Sequence, residues 1–277
     1  MNRIETIFAE QAASGRRALM PFITAGDPSV RMLPGLLLEA ERSGASLCEI
    51  GIPFSDPIAD GPVIQASMTH ALNQGVRVEA IFKAVASIRS QTQLGLVAMV
   101  SYSIVHRMGL ERFIGEAAAS GFDGLIFPDL PLEASEPART VAHRAGLVLS
   151  LLIAPTSSPE RAASLAEASS GFAYIVSRAG ITGESTTLPE GLADRLATLR
   201  RQTSIPLAVG FGVSTPEHVQ SLSKHAEGVI VGSALVRRIA ENRDAGDEKV
   251  VAEAGRFIRE LATGLPEGAS ASGAFRA

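Results

Sequence analysis

Tryptophan is missing from this 277-residue sequence, tyrosine occurs twice, and there is a single cysteine, Cys48. One thiol cannot close an internal disulfide, so packing has to hold the fold, and the usage fits a reducing compartment such as the cytoplasm. No apolar run approaches the roughly 20 residues that a membrane-spanning helix requires. The first 17 residues carry Glu5 and Glu10 and lack a long apolar core, unlike a secretory leader. Basic residues are not in excess either: 25 Lys and Arg stand against 29 Asp and Glu, for a net charge of -4 and a pI near 5.8. Such a chain offers no electrostatic footprint for a polyanion, so nucleic acid is not an expected partner. The histidines, His70, His106, His143, His218 and His225, mostly fall in helical segments without ligand spacing, and no metal site is expected.

What the chain does have is a repeated alternation. Hydrophobic residues make up 46% of it, enough for a sizeable core built from Leu, Ile, Val, Ala and Phe. Short apolar runs recur near residues 18–23, 46–50, 94–100, 124–128, 147–153, 172–176, 206–210 and 227–231. Between them lie amphipathic segments at 33–43, 63–73 with 78–91, 110–119, 133–145, 159–168, 189–201, 215–223 and 233–242. Continuous apolar strands alternating with such helices indicate a parallel sheet covered by helices. Eight units favour a closed (β/α)8 TIM barrel over a doubly wound sheet. Ile4, Ile7, Phe8 and Ala12 add an extra N-terminal helix, and a last helix near 248–262 seals the barrel. With no linker in sight, residues 1–263 read as one barrel domain. The Gly-, Ala- and Ser-rich tail 264–277 is expected to be disordered.

In a barrel of this kind, chemistry gathers on the loops after the strands. The second run ends in Glu49 and enters Ile50-Gly-Ile-Pro-Phe-Ser-Asp-Pro-Ile-Ala-Asp-Gly-Pro62, a stiff loop bearing Asp56 and Asp60. A carboxylate closing a buried strand is costly unless paired or used, so Glu49 and Asp60 are candidates for proton transfer. Asp56 reads better as an ordinary loop acid, and Asp27 and Asp129 as turn-fixing residues. Gly210-Phe211-Gly212 and Val231-Gly232-Ser233 end the last two strands, each ahead of a helix, and glycines there let backbone N–H groups approach an anion. Gly212, Gly232 and Ser233 therefore form a candidate phosphate site, to which Gly183 can add a further N–H. The loop 178–188 has the length and composition of a lid, with Thr182 placed to bond a catalytic acid on closure. Arg178 equally suits a surface ion pair and is left out of the site.

Taken together, Pro21-Phe-Ile-Thr-Ala-Gly-Asp-Pro28, Glu49–Pro62, Pro128-Asp-Leu-Pro131, Ser177-Arg-Ala-Gly-Ile-Thr-Gly183 and Gly210-Phe-Gly-Val-Ser214 resemble the tryptophan synthase alpha chain family. The resemblance runs from the first strand through the eighth. It implies a lyase that cleaves indole-3-glycerol phosphate to indole and glyceraldehyde 3-phosphate by a retro-aldol step. It implies Glu49 as general acid and base, and Asp60 as the carboxylate that accepts the indole N–H. Tyr174 matches an active-site tyrosine, Phe22, Ile153 and Phe211 match apolar walls of the indole pocket, and Gly183, Gly212, Gly232 and Ser233 match the phosphate set. The resemblance implies no cofactor in this chain. It implies a partner, the tryptophan synthase beta chain, which carries pyridoxal phosphate and takes up indole in an α2β2 tetramer.

Two places depart from the family pattern. Ser101-Tyr-Ser-Ile104 replaces the usual Tyr-Tyr-Asn-Pro after the third strand, a loop that in the family touches the partner, and Phe127 sits where smaller aliphatic residues are frequent, a change expected to reshape the indole pocket. The first keeps open a stand-alone lyase. A ligand-binding regulatory subunit with little turnover is a further alternative, against which the retention of both Glu49 and Asp60 speaks.

Overall fold

The computed structural model describes residues 1–57, 60–177, 190–210 and 212–268. The eight apolar runs become parallel strands: β1 (Ala18–Thr24), β2 (Leu47–Gly51), β3 (Gly95–Met99), β4 (Gly124–Ile126), β5 (Val148–Ser150, resuming as Leu152–Ile153), β6 (Ala173–Val176), β7 (Leu207–Gly210) and β8 (Gly228–Val231). Each pairs with its sequence neighbours, and β1 pairs with β8. The two halves of β5 pair with β4 on one side and β6 on the other, across the single break at Leu151. That continuity closes the sheet into the expected barrel.

Alternation along each strand separates two cores. Cys48, Ile50, Leu125, Leu149, Leu151 and Ile175 point outward into the layer shared with the helices. Met20, Leu47, Val97, Ile126, Phe172, Ala208 and Ile230 point inward and fill the barrel. The first helix, α1 (Arg3–Ala13), plugs the bottom of this interior with Ile4 and Phe8, and Phe8 packs on Phe172 with ring centroids 5.8 Å apart. Its position is pinned by Asn2. The Asn2 side chain caps the helix in a capping box with Glu5, while its amide donates to the Asp123 and Gly146 carbonyls at 2.9 and 2.7 Å.

The outer layer comprises α2 (Leu33–Arg42), α3 (Pro62–Asn73), α4 (Val78–Ala86), α5 (Tyr102–Met108), α6 (Leu110–Ala119), α7 (Glu136–Arg144), α8 (Pro159–Ala168), α9 (Leu192–Arg200), α10 (Pro216–Ser223), α11 (Ser233–Glu241) and α12 (Asp247–Ala262). The last packs against both α2 and α11 and so joins the end of the helical ring to its start. Helix α5 was not foreseen from the sequence. Its cap comes partly from Asp129, 27 residues further on, which accepts from Tyr102 N and Ser101 Oγ at 2.7 Å each. No helix among the described residues is long and apolar enough to cross a membrane. Most of the tail 264–277 lies outside the described residues.

Candidate active site

Glu49 is placed by β2, in register with Phe22 on β1 and Val97 on β3. Like Leu47 two residues earlier, it faces the barrel interior, and it is fully buried. Among the described residues, neither carboxylate oxygen has a hydrogen-bond partner. Burial alone pushes Glu49 well above the usual carboxylate range, because nothing there compensates the charged form. A buried acid without partners is a proton store.

Asp60 arrives from the loop above. Its N–H donates to the Pro57 carbonyl at 3.0 Å, and Gln65 Nε2, from the first turn of α3, donates to the Asp60 carbonyl at 2.7 Å. These backbone contacts hold the loop and leave the carboxylate to face the cavity. Burial raises its pKa to about 6. Glu49 and Asp60 thus share one cavity, and burial raises the proton affinity of both, with Glu49 the more deeply buried.

The same cavity is lined by Phe22, Ile64, Met99, Tyr174, Ile230, Gly212, Gly232 and Ser233. Tyr174 stands on the inner face of β6, and its phenol is raised in pKa by burial first and then by Glu49 and Asp60. In the same lining, Gly232 is the N-cap of α11 and Ser233 its first residue, so the start of that helix borders the cavity. Gly212 has φ +76°, a left-handed conformation that a side chain would strain. The cavity therefore combines acids, apolar walls and backbone donors suited to an anion.

Most candidates are brought together, namely Phe22, Glu49, Asp60, Tyr174, Gly212, Gly232 and Ser233. Thr182, Gly183 and Phe211, with the rest of the loop 178–188, lie outside the described residues. Ile153 is not brought to the cavity. It faces outward into the helix layer, beside Pro159, Leu196 and Leu199, whereas its neighbour Leu152 packs toward the barrel interior. Phe127 likewise faces the helix layer, against Phe113 and Tyr102, so it does not reshape the pocket. Ile126 is the inward residue there. Met99 and Ile64 were not foreseen; Met99 gave no signal beyond its place at the end of an apolar run.

A wider groove continues outward from Asp60 and Met99 past Ile52, Phe54, Asp56, Ser103 and Asp129. It carries the altered stretch after β3. No cluster of metal-ligating side chains occurs among the described residues.

Comparison with known proteins now decides the family. Residues 8–265 match the family model described as the tryptophan synthase alpha chain. The chain belongs to the tryptophan synthase alpha chain family. It is 46% identical to the tryptophan synthase alpha chain of Chloroflexus aggregans, over 94% of this chain and 97% of that one. It is 40% identical to that of Rhodopirellula baltica, over 94% and 98%. Among solved structures, tryptophan synthase subunit alpha from Legionella pneumophila superposes with a TM-score of 0.86 at 32% identity, covering 95% of this chain and 98% of that one. An alpha chain of this family is a lyase that cleaves indole-3-glycerol phosphate to indole and glyceraldehyde 3-phosphate, and it pairs with a beta chain that holds the pyridoxal phosphate.

Proposed function

We propose that the cavity between Glu49, Asp60 and Gly232-Ser233 binds indole-3-glycerol phosphate, with the ring toward the carboxylates and the phosphate at the start of α11. The observation that carries this reading is the shared cavity itself. A buried acid without a hydrogen-bond partner among the described residues, an acid with a pKa of about 6 and a helix N-terminus all face one space.

Indole is a poor leaving group until its ring is protonated at C3. Glu49, held protonated by burial, delivers that proton. The ring electron pair taken up by the proton leaves a positive charge spread to the ring nitrogen. Asp60, ionised above about pH 6, accepts the ring N–H and stabilises this charge where it develops. The bond from C3 to the glycerol carbon then breaks, and its electron pair restores the indole ring. The hydroxyl on that carbon becomes the aldehyde as its proton passes to the Glu49 carboxylate, which regenerates the acid. Phe22, Ile64, Met99 and Tyr174 hold the ring plane and exclude water, which strengthens both electrostatic contacts. Thr182, Gly183 and Phe211 complete the site in this reading by their matched family positions.

In the same reading residues 1–263 form one barrel domain, the protein works in the cytoplasm within an α2β2 assembly, and the groove past Asp56 and Ser103 faces the beta chain. The lone Cys48, buried in β2 and raised in pKa by that burial and by Glu49, supports a reducing compartment. The test is indole release from indole-3-glycerol phosphate by the purified chain, with and without its beta chain. Slow release that rises strongly with the beta chain is expected. Fast release indifferent to the beta chain would leave a stand-alone lyase, and no release in either case a binding subunit.

A further inference from the structure

Asp27 lies in the turn after β1 and is buried, yet the chemistry above makes no use of it. Its carboxylate is gripped from two sides. Arg243 donates through Nε to Oδ1 and through Nη2 to Oδ2, each at 2.6 Å, in a two-pronged guanidinium–carboxylate pair. Ser67 Oγ donates to Oδ2 at 2.5 Å. His70 Nε2 stands 4.0 Å from Oδ1 and 3.3 Å from the Pro28 carbonyl.

These contacts join three elements that build the cavity. Asp27 follows the strand that carries Phe22. Ser67 and His70 belong to α3, which emerges directly from the Asp60 loop. Arg243 sits in the turn just after α11, the helix that begins at Ser233. Less than one turn before Ser67, Gln65 holds the backbone of Asp60, and it reaches the Pro57 carbonyl as well, at 3.3 Å. A continuous line of hydrogen bonds and covalent structure therefore runs from Arg243 through Asp27, Ser67 and Gln65 to Asp60.

We propose that Asp27 and Arg243 are positioning residues for Asp60. The rigid fork of the guanidinium fixes the turn after β1 to the end of α11, and Ser67 fixes α3 to the same carboxylate. The register of α3 against α11 then sets where the Asp60 carboxylate stands relative to the phosphate donors at Gly232 and Ser233. Displacement of a catalytic group by about 1 Å can cost on the order of a hundredfold in rate, so a clamp outside the cavity has leverage on the chemistry. The proposal rests on the role assigned to Asp60 above.

The test is a double-mutant cycle on the chain assembled with its beta chain. Arg243→Met, Arg243→Lys and Asp60→Asn are measured singly, and each Arg243 variant again in the Asp60→Asn background. Arg243→Met lowers kcat for cleavage about tenfold and leaves KM within about twofold, while Arg243→Lys recovers part of the loss. In the Asp60→Asn background the same change moves kcat by less than about twofold, because the group being positioned is gone. An equal loss in both backgrounds, or a loss confined to KM, overturns the positioning link and leaves Asp60 in its role. Full turnover by Asp60→Asn alone removes that role and the proposal with it. Should Arg243→Met not fold, Arg243→Lys carries the same cycle.

Discussion

The hydroxyl of Tyr174 occupies the space that a side chain on Gly210 would need. A Cβ built on Gly210 falls 2.6 Å from Tyr174 Oη and 3.0 Å from Cζ. The phenol thus packs over Gly210 at the end of β7, and that glycine is a seat for the ring as well as a turn residue. Gly210→Ala should swing Tyr174 into the cavity it lines. Because φ at Gly210 is not in the left-handed region, the backbone tolerates the change, and stability should fall by about 1–3 kcal/mol through the displaced ring. Activity should fall by about tenfold to a hundredfold through misplacement of the ring wall. Steady-state cleavage rates beside a thermal melt check this, and unchanged kcat/KM would mean that Tyr174 has room to move without consequence.

How much of this site the sequence discloses depends on the kind of signal. The number and order of strands are legible because each is an uninterrupted apolar run between amphipathic helices, and helix α8 starts and ends where the pattern puts it. Which side of a strand faces the barrel is much less legible. Strands buried on both faces carry no alternation of polar and apolar residues, so a shift of one residue exchanges the faces without a trace in composition. That is why Ile153 was expected at the pocket although it is Leu152 that packs toward the barrel interior, and why Phe127 was expected to reshape the pocket although it is Ile126 that faces inward. Glu49 escapes this ambiguity because a charge can be buried only on the side where it is used. Helix α5 was hidden for a different reason, since its cap is supplied by Asp129 from the next strand end.

The two carboxyls set opposite limbs of a pH profile. Asp60 must be ionised to accept the indole N–H, and its pKa of about 6 places the rising limb of kcat/KM near that pH. Glu49 must be protonated, and its raised pKa puts the falling limb above it. Asp60→Asn should remove the rising limb. Stability runs the other way. Both folded-state pKa values lie above those of unfolded carboxyls, so the folded chain keeps protons that the unfolded chain releases. Stability therefore falls as pH rises from about 4 to about 6 through Asp60, and further through Glu49. The Asp60 contribution amounts to at most about 3 kcal/mol, and Asp60→Asn should flatten that part of the curve. Denaturant titrations at pH 4, 5, 6 and 7 measure it (pH points chosen at about one-unit steps across the window). A slope unaltered in the variant would mean that Asp60 has an ordinary pKa.

Gly212 tests the anion end. Its φ of +76° strains any branched side chain, and it lines the cavity. Gly212→Val should weaken substrate binding by roughly tenfold or more, by denying the phosphate its approach to the backbone. The strained φ should also cost about 1–2 kcal/mol of stability. The separating measurement compares affinity for the substrate with affinity for the analogue lacking the phosphate, indole-3-glycerol. Binding of the analogue should change little. An equal loss for both ligands would place the phosphate elsewhere and leave the valine acting on the ring pocket.

Glu49→Gln isolates the proton. The amide matches the acid in size and is neutral, as the buried acid is, so the cavity keeps its shape and the barrel its packing. It cannot give up a proton to C3 or take one from the glycerol hydroxyl. Loss of a general acid and base of this kind costs on the order of 10² to 10⁴ in rate, and cleavage should fall by at least that much. Substrate affinity measured by calorimetry on the same variant should stay within a few-fold, because the phosphate and ring contacts are untouched. The variant should also outlast the parent in a melt at pH 8, where the parent must either hold a proton against solvent or bury a charge with no partner in the described structure. That advantage should shrink at pH 5, where both side chains are neutral in the folded state. Cleavage by Glu49→Gln near the parent rate would take Glu49 out of the chemistry and leave its burial without a purpose.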